Sequence, residues 1–352
     1  MDVIFAGMTA FLASFISIRI LKPLAIKLDL VDRPNQRKQH QGEIPLVGGI
    51  AIFIAVLATS MLWIPDSRDF NLYIIASALM VFIGVLDDKH DLSVRVRLVG
   101  QILVASIMIF GAGIYIDNLG NLLGFGTIHL GIFGIPFTYL AVLGAINAFN
   151  MIDGIDGLVG CMSIITLTSL SVLFWINGDK VMFYVPLIVA IAIVPYLVFN
   201  LGLLGKRFRK IFMGDAGSMF VGFSVVWLLA EGSQSTAPSF QPVTALWIIA
   251  VPLMDMAAVM YRRWRKGQSP FLADRDHLHH IFMRAGFSPI QSLFFISLMG
   301  VVMAAMGTLA AYAKVPSWAM FFLFLGVFCI YSYTLQHAWV LTTALRKFRA
   351  AN

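Results

Sequence analysis

Residues 181–200 read VMFYVPLIVAIAIVPYLVFN, twenty consecutive positions without a charged side chain. About 20 predominantly apolar residues are needed for a helix to cross the hydrocarbon core of a bilayer, so this stretch predicts a transmembrane helix. The whole chain has the same character, because 59% of its 352 residues are hydrophobic and only 12% are charged. Soluble domains carry about 25% charged residues, and one soluble core cannot bury so much apolar surface. The composition predicts an all-α polytopic membrane protein and excludes a soluble enzyme, a disordered chain and a nucleic-acid-binding protein.

The same length rule, applied along the chain, predicts eleven transmembrane helices within a single integral membrane domain, residues 1–352. The predicted spans are 2–22, 46–64, 72–86, 98–114, 136–150, 158–177, 181–200, 217–231, 243–261, 290–312 and 318–343. Between the fourth and fifth spans lies the glycine-rich loop 115–135. The alternation from Thr127 to Ile132 predicts a small external β-hairpin in this loop.

The basic residues predict the orientation of these spans. Loops 23–45, 87–97, 151–157, 201–216 and 262–289, with the C-terminal tail and the flanking Arg19 and Lys22, hold 22 of the 25 Lys and Arg residues. Only Arg68, Lys180 and Lys314 fall on the other side. Basic residues concentrate on the cytoplasmic side of membrane proteins. We therefore expect the N-terminus in the periplasm and the C-terminus in the cytoplasm.

Acidic residues concentrate in the same predicted cytoplasmic loops. Eleven of the 18 Asp and Glu residues lie there: Asp29, Asp32, Glu43, Asp87, Asp88, Asp91, Asp153, Asp156, Asp215, Asp274 and Asp276. Carboxylates mixed with basic side chains at one interface suit a site for Mg²⁺ and a phosphorylated substrate. For any single loop, solvated surface charge explains the acids equally well, so the argument depends on four clusters taken together.

The first two clusters follow predicted spans directly. The sequence DDKHD covers residues 87–91, and its adjacent carboxylates Asp87 and Asp88 repel each other unless a cation offsets them. The sequence NAFNMIDGIDGL covers 147–158 and spaces Asn147, Asn150 and Asp153 three residues apart, on one helix face. Helix packing could explain the asparagines, but the repeated Asp-Gly has no evident packing use.

The other two clusters leave alternatives open. The sequence FMGDAGS at 212–218 brings Asp215 to the start of a predicted helix, where it could act as a cap, as part of a ligand site, or as both. The sequence DRDHLHH at 274–280 holds three histidines within four residues. A zinc site is one interpretation, but no Cys is nearby, and histidines that donate to phosphate are favoured. Asp255 lies inside a predicted span after Pro252, where we expect a hydrogen-bonded carboxyl that braces a proline kink.

In this order and on alternate loops, the four motifs resemble those of the polyprenyl-phosphate N-acetylhexosamine-1-phosphate transferases. The segment DRPNQRKQHQGEIPLVGG at 32–49 is similar to the first conserved segment of that family, and the likeness extends over residues 30–285. The motifs DDKHD and DRDHLHH are similar to the corresponding motifs of the family branch that uses UDP-GlcNAc. The branch that uses UDP-MurNAc-pentapeptide typically carries a lysine where this chain has Gln41.

The resemblance implies transfer of GlcNAc-1-phosphate from UDP-GlcNAc to undecaprenyl phosphate in a bacterial inner membrane, with Mg²⁺ or alternatively Mn²⁺ as cofactor and a homodimer as assembly. It implies Asp215 and Asn150 as metal ligands, Asp87 as the residue that deprotonates or orients the lipid phosphate, and Asp88 as its support. The implied substrate-binding residues are Lys38, Asn147, Asp153, Asp156, Arg263, His277, His279 and His280.

The sequence also bears on three other functions. The same reaction with another UDP-N-acetylhexosamine or with UDP-MurNAc-pentapeptide remains an alternative, because these motifs do not report the sugar. A cation-coupled transporter would carry paired ionisable residues near the bilayer midplane and an internal repeat, whereas these acids lie at one interface. A CDP-alcohol phosphatidyltransferase would need an Arg shortly after Asp153-Gly154, and no Arg is found there.

Overall fold

The computed structural model describes residues 2–34, 42–205, 210–269 and 277–337. Their helices are α1 (Val3–Lys27), α2 (Gly48–Trp63), α3 (Arg68–His90), α4 (Val94–Ser106), α5 (Gly134–Met151), α6 (Leu158–Ile176), α7 (Lys180–Asn200), α8 (Gly214–Gln234), α9 (Pro242–Ile248), α10 (Ala250–Arg265), α11 (Leu278–Arg284), α12 (Pro289–Tyr312) and α13 (Ser317–Gln336). A π-helical turn, Ile107–Gly111, continues α4, and a 3₁₀ turn, Gly131–Phe133, precedes α5. Strands β1 (Val31–Asp32) and β2 (Ile44–Pro45) pair antiparallel, with Val31 opposite Pro45.

The prediction of an all-α polytopic membrane protein is confirmed. Within the described residues, nine helices are long and apolar enough to cross a membrane, counting α4 with its π-helical continuation. Helices α9 and α10 would form a tenth span, but they meet at a bend of 81°. Helix α2 is apolar but has only 16 residues. Every predicted span therefore corresponds to a helix or to the bent pair. The orientation of the spans relative to the two sides of the membrane stays a prediction.

Helix α8 runs through the centre of the bundle. Of the 18 most apolar consecutive residues of α8, 89% are buried inside the protein. The same share is 28% for α1 and 17% for α13. It packs against α2, α3 and α5. Small residues allow this close approach, since Gly, Ala and Ser let helix backbones come together in membrane proteins. The outer helices present large apolar side chains such as Phe5, Leu140 and Ile290, as a lipid-facing surface requires.

Local sequence signals explain where several helices begin. The Ser67 side chain accepts a hydrogen bond from the Phe70 N–H at the start of α3, and Asp69 lies in the first turn, where the helix dipole favours an acid. At the start of α12, Ser288 and Gln291 form a reciprocal capping box, with Pro289 at the first helical position. These caps hold the helix ends that the connecting loops depend on.

Hydrogen bonds link the predicted cytoplasmic loops at one end of the bundle. The N–H of Phe212 donates to Pro45 of β2, and the N–H groups of Gly48 and Gly49 donate back to Phe212 and Met213. This pairing joins loop 23–45 to loop 201–216. Further bonds, described below, connect these loops to 87–97 and 151–157, and His279 of segment 262–289 contacts Gly154. The prediction that alternate loops share one side of the membrane agrees with this arrangement.

Loop 115–135 folds back on itself antiparallel, as the predicted hairpin requires, but the paired region is short. The structure describes this whole segment and gives it a single antiparallel bridge, between Asn118 and His129, rather than two strands. Four of its glycines adopt positive φ angles, which interrupts any extended run: Gly120, Gly124, Gly126 and Gly131. Across the turn, the N–H groups of Leu119 and Leu130 donate to the carbonyl oxygens of Ile128 and Asp117. Gln234 at the end of α8 adds side-chain bonds, because it accepts from the N–H of Asn118 and donates to its carbonyl oxygen.

Candidate active site

Asp88 and Asp215 meet at the start of α8. The two carboxylate oxygens of Asp88 accept hydrogen bonds from the backbone N–H groups of Asp215, at 2.7 Å, and Ala216, at 3.2 Å. These N–H groups have no partner inside the helix, and the positive end of the helix dipole favours an anion beside them. Asp88 therefore caps α8 from the end of α3, although the sequence offered Asp215 as the capping residue. The cap fixes the backbone of Asp215.

Asn150, in the last turn of α5, is hydrogen-bonded to Asp215. Its side-chain nitrogen donates to Asp215 Oδ1 at 2.5 Å and to the Ser218 hydroxyl at 3.0 Å. Ser218 lies one turn further along α8. The predicted metal ligands, Asn150 and Asp215, are thus neighbours in the structure. Sequence reasoning did not identify Ser218, whose hydroxyl holds the Asn150 amide in place.

Asp87, the other carboxylate of the DDKHD motif, has different hydrogen-bond partners from Asp88. Asp87 is buried, and its side chain accepts from the Leu92 N–H at 2.9 Å and from the Arg97 guanidinium at 3.2 Å. These bonds tie the end of α3 to the start of α4. These two donors offset part of the cost of burying the carboxylate. Arg97 was not identified from the sequence.

Asp153 and Asp156 lie in the turn between α5 and α6. Asp153 is exposed, but the protein atoms around its carboxyl replace part of the surrounding water, and this partial desolvation is the largest cause of a pKa raised to about 7. The negative charges of Asp215 and then Asp156 raise the pKa further. The Lys210 ammonium donates to Asp156 at 2.5 Å. The turn therefore faces Asp215 and contacts Lys210, which precedes α8.

His279 adjoins this turn from α11. A Cβ added to Gly154 would overlap the His279 imidazole, so only a glycine fits between Asp153 and the ring. His279 is 2% exposed, and neither ring nitrogen has a hydrogen-bond partner among the described residues. Burial, followed by the positive charge of a protonated His280, lowers the pKa of His279 to about 3, so the ring is neutral at neutral pH. Buried polar atoms without partners are costly, which makes His279 a candidate ligand-binding group.

His277 is held by Asp255. Its Nδ1 lies 2.8 Å from Asp255 Oδ2, and both residues are buried. Asp255 is hydrogen-bonded, as expected, but it does not brace a proline kink, because its bonds lead to α11 and α13 and the bend of the span lies at Ile249. The His277 and His279 rings lie parallel with their centroids 5.9 Å apart.

The remaining predicted site residues are His280, Arg263, Asn147 and Lys38. His280 contacts the His279 ring, with centroids 4.2 Å apart, and Arg263 is buried in the last turns of α10. Asn147 donates to Gln101 of α4 and to Leu143, one turn away from the Asp215 cluster. Lys38 lies outside the described residues. The substrate contacts of these four residues stay predictions.

One buried side chain that the sequence did not single out joins two of the loops. Asn200, the last residue of α7, accepts from the Gly157 N–H at 2.7 Å and donates to the Ile211 carbonyl oxygen at 2.9 Å. Both bonds lie in the protein interior, where leaving either group unpaired would cost about 1–3 kcal/mol. Asn200 thereby connects the turn that carries Asp153 to the segment that leads to Asp215.

The donor set around Asp215 fits a magnesium ion. Mg²⁺ prefers oxygen ligands and usually takes one or two protein carboxylates, completing its shell with water and substrate phosphates. Asp215 supplies a carboxylate, and Asn150 supplies an amide whose oxygen, rather than the nitrogen that donates to Asp215, would bind the ion. The influence of Asp215 on Asp153 shows negative charge that a cation would offset. Within the described ranges, no three His, Cys, Asp or Glu side chains surround a common point, so a closed protein cage is not formed there.

Comparison with known proteins agrees with this geometry. The profile of glycosyl transferase family 4 matches residues 70–233. Relatives described as undecaprenyl-phosphate alpha-N-acetylglucosaminyl 1-phosphate transferase are 44% identical over 343 residues in Salmonella typhi, covering 96% of this chain and 92% of the relative. The relative of the same description from Haemophilus influenzae is 41% identical over 340 residues, covering 96% of each chain.

Together with these relatives, a bundle of apolar helices with carboxylates, an amide and histidines gathered at one end identifies a membrane-embedded phosphoglycosyltransferase. The near-complete coverage of these relatives makes the assignment specific. The chain belongs to glycosyl transferase family 4.

Proposed function

We propose that this protein transfers GlcNAc-1-phosphate from UDP-GlcNAc to undecaprenyl phosphate, giving undecaprenyl-diphospho-GlcNAc and UMP. An oxygen of the lipid phosphate attacks the sugar-linked phosphorus, and the bond from that phosphorus to the bridging oxygen breaks as UMP leaves with the oxygen. The observation that carries the proposal is the gathering of Asp88, Asn150, Asp215 and His279 from four separate segments at one end of the bundle. The description of the relatives supports the choice of sugar and lipid.

The chain's own residues position two anions that repel each other. Asp215 and Asn150 would hold Mg²⁺, which when bound neutralises phosphate oxygens and stabilises the charge of the transferring phosphoryl group. The neutral imidazole of His279 can donate one hydrogen bond to a phosphate or a nucleotide oxygen and accept another. The nucleotide sugar is further bound by His277, His280, Arg263, Asp153 and Asp156. Asp87, paired with Arg97, orients the lipid phosphate where that lipid reaches the site.

We further propose that the chain acts as one integral domain in a bacterial inner membrane with the site on the cytoplasmic face. The 22 basic residues on the loops of that side support this orientation. A water-soluble nucleotide sugar and a lipid phosphate can meet only at the membrane surface, which agrees with a site at the end of the bundle.

Purified protein supplied with Mg²⁺, UDP-[¹⁴C]GlcNAc and undecaprenyl phosphate should form a labelled lipid and release UMP in equal amounts. A panel of UDP-GalNAc, UDP-MurNAc-pentapeptide and UDP-glucose, each at the same concentration, tests the sugar. We expect UDP-GlcNAc to be preferred by at least about tenfold, since a lost or misplaced hydrogen bond to a buried polar group costs about 1–3 kcal/mol. Absence of lipid product with every sugar would contradict the proposal.

Removal of divalent cations should abolish turnover. After treatment with EDTA we expect activity to fall by about 10³-fold, because a metal supplies several kcal/mol of transition-state stabilisation, and Mg²⁺ or Mn²⁺ should restore it. The unfolding temperature gives an independent measurement. Mg²⁺ should raise it in the wild type by relieving repulsion among Asp88, Asp153 and Asp215, and should raise it less in Asp215→Asn. Full activity in excess EDTA would contradict the metal assignment.

A further inference from the structure

Three donors converge on one carboxylate deep in the bundle. Asp255 of α10 is 1% exposed. Its Oδ2 lies 2.8 Å from His277 Nδ1, and its Oδ1 accepts from the Leu278 N–H at 2.9 Å and from the Tyr331 hydroxyl at 2.9 Å. These partners come from α11 with the residue preceding it, and from α13. A buried carboxylate is rare inside a transmembrane segment, and such residues usually pair with other polar groups at functional sites.

From this geometry we propose, on the basis of the proposed function, that Asp255 is a positioning residue of the transferase. It acts by holding His277 and the start of α11 so that His277 and His279 meet the nucleotide sugar. Tyr331 in turn fixes Asp255, which gives α13 a part in the site although that helix contributes no residue predicted to touch substrate.

The chemistry of the contact sets the proton position on His277. An ionised carboxylate only accepts hydrogen bonds, and the Leu278 N–H and Tyr331 hydroxyl both donate to Asp255. Nδ1 of His277 must therefore carry a hydrogen, which leaves Nε2 as the ring atom for a ligand. This is an assignment from the hydrogen-bond network, and it predicts which substitution would reverse it.

The contact also orients His279. The Leu278 N–H bond fixes the first turn of α11, and His279 is the next residue, lying parallel to His277 and against Gly154. Apolar side chains from α10, α11 and α13 pack together beside this contact, among them Val259, Ile281 and Leu335. Fixing α11 through Asp255 thus fixes both imidazoles relative to the turn that carries Asp153.

Asp255→Asn tests the proposal with little change in volume. The amide oxygen can still accept from Leu278 and Tyr331, but the amide nitrogen would face His277 Nδ1 and require it to accept, which moves the ring proton to Nε2. We expect kcat/KM for UDP-GlcNAc to fall by about 10–100-fold, as for other residues that orient a ligand-binding histidine. The KM for undecaprenyl phosphate should stay within about twofold.

Tyr331→Phe gives a second variant that removes one of the three bonds. We expect a loss of about three- to tenfold in kcat/KM for UDP-GlcNAc. The matched control is Tyr73→Phe, which removes the bond of another buried tyrosine hydroxyl, to Ser224, in α3 and α8 away from the histidines. Tyr73→Phe should leave kcat/KM within about twofold. Equal losses in the two tyrosine variants would contradict the proposal.

The decisive comparison is made in a His277→Ala background. If Asp255 acts through His277, adding Asp255→Asn should lower activity by less than about threefold beyond His277→Ala alone. A further loss of tenfold or more, or a rise in KM for the lipid equal to that for UDP-GlcNAc, would overturn the positioning role. Wild-type turnover in the same assay separates this result from the proposed function, since an inactive wild type would refute that function instead.

Discussion

Replacing Asp215 by Asn should lower kcat/KM for GlcNAc-1-phosphate transfer by about 10³-fold or more. Asp215 is the carboxylate to which Asn150 donates and whose backbone Asp88 fixes, so it lies at the centre of the predicted metal site. An amide is a poor substitute for a carboxylate as an Mg²⁺ ligand. Electrostatic stabilisation of the phosphoryl group is the main contribution that such a site makes to catalysis. The measurement is turnover with saturating Mg²⁺ and both substrates.

The same substitution should leave the fold intact, which separates a catalytic loss from unfolding. The amide oxygen can still accept from Asn150, and the loss of one negative charge beside Asp88 and Asp153 removes repulsion. We therefore expect an unfolding temperature equal to or above that of the wild type in the absence of metal.

A matched control is Asp66→Asn in the connection between α2 and α3. Asp66 also accepts from an asparagine amide, that of Asn71 at 2.7 Å, but it precedes α3, whereas Asp87 and Asp88 lie at the end of that helix. Its substitution should change turnover by less than about twofold. If Asp215→Asn kept a tenth or more of wild-type activity, Asp215 would not be the main metal ligand.

Much of the fold follows from the sequence because a bilayer restricts the choices. Runs such as 181–200 must form helices to satisfy their backbone groups, and strict alternation of loops then brings the four motifs to one end. Asp88, Asn150, Asp153 and Asp215 could be assigned to one site in this way without knowledge of packing. The short helix α2, with 16 residues, and the bend at Ile249 could not be predicted in this way. Hydropathy does not report where a helix ends or breaks inside the protein.

Contacts between distant segments could not be predicted. Asp255 is 22 residues from His277 and 76 from Tyr331, and nothing in the local pattern pairs them. Asn200 similarly joins Gly157 to Ile211 across two loops. The short extent of the hairpin in loop 115–135 has a related cause, since Gln234 of α8 adds side-chain bonds to Asn118 beside the backbone bonds of the loop. Pairing of this kind depends on tertiary packing rather than on periodicity.

Replacing Gly49 by Ala should lower both stability and turnover. A Cβ at Gly49 would lie closer to the backbone of Gly217 than real contacts allow, so α2 and α8 would have to separate. Overpacking of this kind typically costs about 1–3 kcal/mol in the free energy of unfolding. Gly49 also donates its N–H to Met213, two residues before Asp215, so the separation would move the predicted metal ligand. Displacement of a reacting group by about 1 Å can cost about 10²-fold in rate.

The control for this substitution is Gly326→Ala in α13, where an added Cβ meets nothing within 4 Å. Alanine favours a helix over glycine by up to about 1 kcal/mol, so this variant should unfold at or above the wild-type temperature and keep full turnover. Thermal unfolding in detergent and turnover per folded molecule distinguish the outcomes for Gly49→Ala. A variant with reduced stability but unchanged turnover would mean that the α2–α8 contact supports the fold alone. Because Gly49 is bonded to the segment that carries Asp215, we expect the two quantities to fall together.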